Sequence, residues 1–182
     1  MRPRTARCSV IAFRAAMMSE IVNPMTIEGS EIDDLAAGLA GEHLVCADLL
    51  LRGYRAFRTD QNCAYNVAVD AGGRLVRIQV RSTRRAKPIP GRVECRPAYM
   101  WFVRRSGKRG ARVYGADDFD MLALVALDTR KIAYMPPSQR LQTIFIRTHG
   151  EGCPPPHGGK SGRTFAQYPF EAALLELSNE RA

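Results

Sequence analysis

Tyr65-Asn66-Val67-Ala68-Val69-Asp70-Ala71-Gly72-Gly73-Arg74-Leu75-Val76-Arg77-Ile78-Gln79-Val80-Arg81 is the stretch that decides the fold class. Two runs rich in β-branched residues flank Ala71-Gly72-Gly73. Paired glycines supply the backbone angles of a tight turn, so the stretch predicts an antiparallel hairpin. Side chains alternate along a strand, which sends Val76, Ile78 and Val80 to a core and Arg77, Gln79 and Arg81 to the opposite face. Three long polar groups on one side of a strand either line a cleft or meet solvent. On the preceding strand Asn66 and Asp70 share a face, and the turn carries Asn66 toward the Gln79 and Arg81 end of its partner.

Upstream, the spacing from Ile32 to Arg52 is helical, and Gly53 is a natural C-terminal stop. On a helical wheel Leu35, Leu39, Cys46, Leu49 and Leu50 form an apolar stripe with Glu42 in its middle. A carboxylate in that position either meets a cation, a metal or several donors, or snorkels to the helix edge. Arg55 to Arg58 and Tyr99 to Arg104 read as further strands. Met121 to Leu127 and Lys131 to Met135 read as a second hairpin, Leu141 to Arg147 as another strand, and Pro169 to Ser178 as a closing helix. Between the last two, residues 150–162 carry Pro154-Pro155-Pro156 and several glycines, which only a loop tolerates. The order predicts an α/β (α+β) fold: an N-terminal helix, a mixed β-sheet and a further helix. The expected organisation is a disordered leader over 1–30, one domain over 31–148, and a Pro/Gly-rich loop with a C-terminal helix over 149–182.

With 182 residues, 46% of them apolar, the chain can bury one good core. Its formal charge of +9 makes a polyanion the first partner to consider. Arg2, Arg4, Arg7 and Arg14 of the leader account for less than half of that charge, so the body is basic too. The segment Arg2 to Met18 is acid-poor like a transit peptide, but its apolar run from Val10 to Phe13 is too short for a secretory signal. Met17, Met18 and Met25 each offer an alternative start. Cys8, Cys46, Cys63, Cys95 and Cys153 form no paired motif and are odd in number, so a disulfide framework is not indicated and a reducing, cytoplasmic setting is expected. No apolar run reaches the roughly 18 to 20 residues of a membrane span. His149, Cys153 and His157 recur at four-residue intervals, but three ligands in a proline-rich loop fall short of a structural zinc site.

Gly41-Glu42, then Leu49-Leu50-Leu51-Arg52-Gly53-Tyr54, then Tyr65-Asn66 ahead of a glycine turn and Gln79-Val80-Arg81-Ser82-Thr83 together resemble the endonuclease branch of the PD-(D/E)XK superfamily, which includes homing and resolvase-like enzymes. Asp117-Asp118-Phe119-Asp120, followed by Leu122 to Val125 and Ile132 to Pro136, is similar to the pattern after the catalytic strands of that branch. The resemblance implies a restriction-endonuclease-like core and a divalent-metal hydrolase. An acid and a Glu or Gln position hold Mg2+, a lysine two residues on polarises the attacking water, and a helix glutamate assists. Carried over, Glu42 is the helix carboxylate, Asn66 stands at the aspartate position, Gln79 at the second ligand position and Arg81 at the lysine position. Glu42, Asn66 and Gln79 are then the metal ligands, and all four are the candidate catalytic residues.

Two of the four depart from the pattern. Asn66 replaces an anionic ligand with a neutral amide, which forfeits much of the Coulomb attraction for a cation. Arg81 stays charged at any physiological pH and cannot give up a proton, although it can clamp a phosphate. Asp60 and Asp70 are the carboxylates that could stand in, and Asp70 lies ~13 Å along the strand from Asn66.

The basic residues point to the partner. Arg77, Arg84, Arg85 and Lys87 lie along and after the candidate strand, and Arg104, Arg105, Lys108, Arg109 and Arg112 surround Ser106-Gly107. Phosphate contacts of this kind give salt-sensitive affinity for DNA, or RNA, with little sequence information. Tyr99 or Trp101, between the two clusters, offers a ring for base stacking. A homodimer would suit the cutting of two strands. The rival readings are a catalytically silent nucleic-acid-binding module of the same fold, and a toxin-like or regulatory protein whose basic face meets an acidic partner protein.

Overall fold

Asp33 accepts the amide hydrogen of Ala36 on its side chain at 2.6 Å and so caps helix α1, Asp34–Leu51. Gly53, at a φ of 87°, lets the chain leave the helix, and the Tyr54 amide closes the end by donating to the Leu49 carbonyl. The structure, a computed structural model, describes residues 32–60, 63–89, 97–104, 114–115, 117–136, 142–147 and 162–179. Its contacts divide the chain into Met1–Ile32 and Asp33–Ala182, and every element named here belongs to the second unit. The expectations placed on the leader, on Arg105, Lys108, Arg109 and Arg112, and on His149, Cys153 and His157 lie outside the described residues.

Among the described residues seven strands follow the helix: β1 Arg55–Arg58, β2 Val67–Asp70, β3 Leu75–Thr83, β4 Ala98–Phe102, β5 Met121–Ala126, β6 Lys131–Met135 and β7 Thr143–Arg147. A 3-10 turn, Phe165–Gln167, leads into helix α2, Phe170–Asn179. The architecture is α+β with a mixed sheet, as the sequence predicts. The β2–β3 hairpin turns on Gly72 and Gly73, both at positive φ, and Asp70 Oδ1 fixes it by accepting the Gly73 amide at 2.9 Å.

The sheet order is β1-β2-β3-β5-β6. A simple meander does not describe it, because β3 pairs with β5 in parallel while β4 leaves to pair with β7 as a separate two-stranded ribbon. β5, Met121-Leu122-Ala123-Leu124-Val125-Ala126, is buried along its whole length because both faces of the sheet are covered. On one face Val67, Val69, Val76, Ile78, Val80, Met121, Ala123 and Val125 pack against Val45 and Leu49 of α1 and Phe170, Ala173 and Leu177 of α2. On the other face Leu122, Leu124 and Ala126 pack against Tyr99, Trp101, Ile144 and Ile146 of the ribbon.

The helix sits in a different rotation from the one its leucines suggest. Its buried stripe is Ala37, Gly41, Val45 and Leu49, whereas Leu35 is 66% exposed and Leu50 and Leu51 also face out. The cause is close approach. A methyl on Gly41 would lie 1.8 Å from Ser82 Oγ and 3.1 Å from Ser82 Cβ, so glycine lets α1 settle onto β3 along its small residues. That rotation leaves Glu42 beside the buried stripe, at the rim of the sheet.

Candidate active site

Glu42 projects from α1 toward the ends of β1 and β2. Its side chain is only 15% exposed. Arg58, the last residue of β1, donates from Nε to Glu42 Oε2 at 2.9 Å, and Asn66 donates from Nδ2 to Oε1 at 2.8 Å. Both carboxylate oxygens are thereby held. Asn66 is itself fixed, since its Oδ1 accepts the Val80 amide at 3.0 Å and its own amide donates to the Ile78 carbonyl. A flipped amide would set Nδ2 against an N–H and Oδ1 against a carboxylate, so these partners define its orientation.

The ladder runs on past the formal strand ends. The Thr59 amide donates to the Asn66 carbonyl at 2.9 Å and its hydroxyl to the Tyr65 carbonyl at 2.6 Å. This extension places Arg58, Thr59 and Asp60 opposite Asn66. Together with Asp34, Leu35, Gly38, Leu39 and Glu42 they line a hollow of about 220 Å³. Asp60 therefore sits on the wall of the same hollow as Glu42, while Asp70 serves the hairpin turn. Cys46 lies near these charges. Burial pushes its thiol up, Arg58 opposes the shift and Glu42 adds to it, so the protonated form is favoured.

Of the four residues the sequence singles out, Glu42 and Asn66 meet. Gln79 and Arg81 are placed elsewhere. Val76, Ile78 and Val80 face α1, so alternation turns residues 77, 79 and 81 to the ribbon side of the sheet. Gln79 is 5% exposed there and donates from Nε2 to the Val80 carbonyl at 3.2 Å. Arg81 stacks over the Tyr114 ring at 5.5 Å and donates to the Tyr114 hydroxyl and the Arg104 carbonyl. Asn66 joins the helix side because it precedes β2 and is not bound by that strand's alternation.

The basic residues divide in a similar way. Arg77 donates to both oxygens of the buried Asp120, from Nε and Nη2 at 3.0 Å each, and to the Asp117 carbonyl from Nη1 at 2.6 Å. The Asp120 bond raises its guanidinium pKa further above the ordinary arginine value, partly offset by burial. Arg84 pairs with Asp34 at 2.8 Å. Arg85, Lys87 and Arg104 are exposed. Arg58, which sequence reasoning passed over, is the cation that completes the Glu42 cluster. Its only signal was a basic residue at the end of the strand that follows the helix.

A family model described as PD-(D/E)XK endonuclease matches residues 33–150, which run from α1 through β7. The chain belongs to the PD-(D/E)XK endonuclease family. Its structure is similar to that of the bacterial homing endonuclease I-Ssp6803I, with a TM-score of 0.61 and 16% identity, covering 82% of this chain and 97% of that one. No curated protein matches the chain in sequence.

PD-(D/E)XK nucleases generally use a divalent metal ion, and the residues placed here do not fit one. Among the described residues no three His, Cys, Asp or Glu side chains gather within reach of a common ion. Both oxygens of Glu42 face N–H donors, and the amide oxygen of Asn66 faces a backbone N–H. Gln79 lies on the far side of the strand. A hard cation needs several oxygens turned toward it, and this cluster presents hydrogens instead.

Proposed function

We propose that this PD-(D/E)XK domain binds DNA through its phosphate backbone and has lost metal-dependent hydrolysis. The reading rests on one observation: Arg58 and Asn66 together occupy both oxygens of Glu42, supplying internally the positive charge and donors that a catalytic ion would otherwise provide. The basic balance of the chain supports a polyanionic partner. Exposed Arg85, Lys87 and Arg104, with Arg105, Lys108 and Arg109, are the proposed backbone contacts. Arg81 acts from the ribbon side as a structural clamp on the 104 and 114 segments in place of a proton-donating lysine.

The test is supercoiled-plasmid nicking in Mg2+ or Mn2+ alongside duplex binding as a function of salt. The wild-type protein should bind duplex with an affinity that falls steeply as salt rises, and should leave the plasmid intact. An Asn66→Asp, Arg81→Lys double variant should still leave the plasmid intact, because residue 81 lies on the opposite face of the sheet from Glu42 and residue 66. A wild-type protein that already cleaves at full rate would overturn the loss of hydrolysis. Failure to bind duplex at low salt would favour a basic protein with an acidic protein partner.

A further inference from the structure

We infer that the outer face of the β4–β7 ribbon is a stacking platform for unpaired bases, so that this domain engages single-stranded or frayed nucleic acid in addition to duplex. The inference rests on the nucleic-acid reading above and names the part of the substrate that this face takes.

The ribbon has two unlike faces. Tyr99, Trp101, Ile144 and Ile146 point inward and are buried, which removes Tyr99 and Trp101 from any role in base stacking. The opposite face carries Met100, Phe102 and Arg104 on one strand and Thr143, Phe145 and Arg147 on the other. Phe102 is 61% exposed and Phe145 36%. The register pairs Phe102 with Thr143 and Met100 with Phe145, so the two rings are diagonal neighbours, with about 7–8 Å between their residue positions.

Charge selects the occupant. The pair is bracketed along the ribbon by Arg104 at one end and Arg147 at the other. Arg104 contacts the neutral Gln142 side chain, and Arg147 lies against Gly162. Among the described residues neither forms an ion pair with a carboxylate. Lys87, exposed and bridged through its backbone to Ala98, adds a cation at the Arg147 end. Two aromatic faces between cations suit a strand whose bases stack and whose phosphates carry charge, and stacking accepts any base. A fully paired duplex hides its bases and would leave both rings unused.

The experiment is fluorescence anisotropy of the full chain with a labelled single-stranded oligonucleotide, a blunt duplex and a duplex carrying a single-stranded tail. The variants are Phe102→Ala/Phe145→Ala and the aromatic-preserving Phe102→Tyr/Phe145→Tyr. Because both rings are exposed, thermal unfolding of the alanine variant should match wild type. The expected result is a loss of roughly thirtyfold or more in affinity for the single strand and the tail. Blunt-duplex affinity should change less than about twofold, and the tyrosine variant should bind normally. Duplex binding with unchanged single-strand affinity in the alanine variant overturns the platform alone. Absence of binding to every nucleic acid overturns the nucleic-acid reading and the platform with it. A wild-type dimer that becomes monomeric in the alanine variant, with all affinities unchanged, would assign the face to a second copy of the chain instead.

Discussion

Asn66 donates to Glu42 at 2.8 Å while its amide oxygen accepts the Val80 amide, so one neutral side chain ties helix α1 to the hairpin. Replacing Asn66 with Asp keeps an oxygen for the Val80 amide but turns a second oxygen toward a carboxylate. Without metal the variant should be less stable than wild type. With Mg2+ it should recover, since a bound ion at about a hundred times its Kd adds about 2.7 kcal/mol. The wild-type melting temperature should not respond to Mg2+. Thermal unfolding with and without the ion decides the matter, and an equal response in both proteins would contradict this account of the site.

Gly41 sets how closely α1 approaches β3. Alanine normally gains about 0.5–1 kcal/mol over glycine inside a helix. Here the added methyl meets Ser82 Oγ at 1.8 Å and Cβ at 3.1 Å. Overpacking of that kind costs about 1–3 kcal/mol, so Gly41→Ala should destabilise on balance. Ser82 Oγ is buried and has no hydrogen-bond partner among the described residues, and Ser82→Ala should therefore be tolerated and should restore part of the loss in the double variant. Urea denaturation of the four proteins gives the coupling directly.

Arg77 was a candidate phosphate contact, and its guanidinium is instead committed to Asp120. Arg77→Ala would take the guanidinium away from a buried carboxylate, which keeps the Arg77 backbone N–H among its donors. The expected cost is about 2–3 kcal/mol, below the usual range for breaking a buried pair because Arg77 keeps some contact with water. Arg104→Ala should do the reverse, lowering the slope of log affinity against log salt by about one with little change in stability. Denaturant curves and salt titrations on both variants separate the roles.

Tyr134 donates its hydroxyl to Asp48 Oδ2 at 2.7 Å beneath the Arg52–Glu171 ion pair that ties α1 to α2. Burial, reinforced by Asp48, raises the phenol well above its ordinary value of 10.0. The folded protein therefore keeps this proton after the unfolded chain has lost its own. Stability from this group is intact below pH 10 and declines as pH rises beyond it. Tyr134→Phe should cost about 0.5–1.5 kcal/mol at neutral pH and flatten that alkaline decline. Guanidinium midpoints at pH 8 and pH 11 measure both effects.

The elements were legible in the sequence because each is a local pattern. The Gly72-Gly73 turn, the apolar alternation of β3 and the Gly53 stop depend only on neighbouring residues, and the structure places them as read. The family was legible too, since it rests on the order of short motifs. The helix rotation was not: leucines outrank small residues in any apolar stripe, and only contact with β3 made Gly41 the inward residue.

By itself the sequence determined the α+β class and the hairpin. Tertiary structure alone decided that Glu42 meets Asn66 and Arg58 while Gln79 and Arg81 work on the other face. The physical reason is that alternation assigns side chains to faces but does not say which face receives the helix. That choice is made by packing between residues far apart in the chain, here Val45 and Leu49 against Val76, Ile78 and Val80.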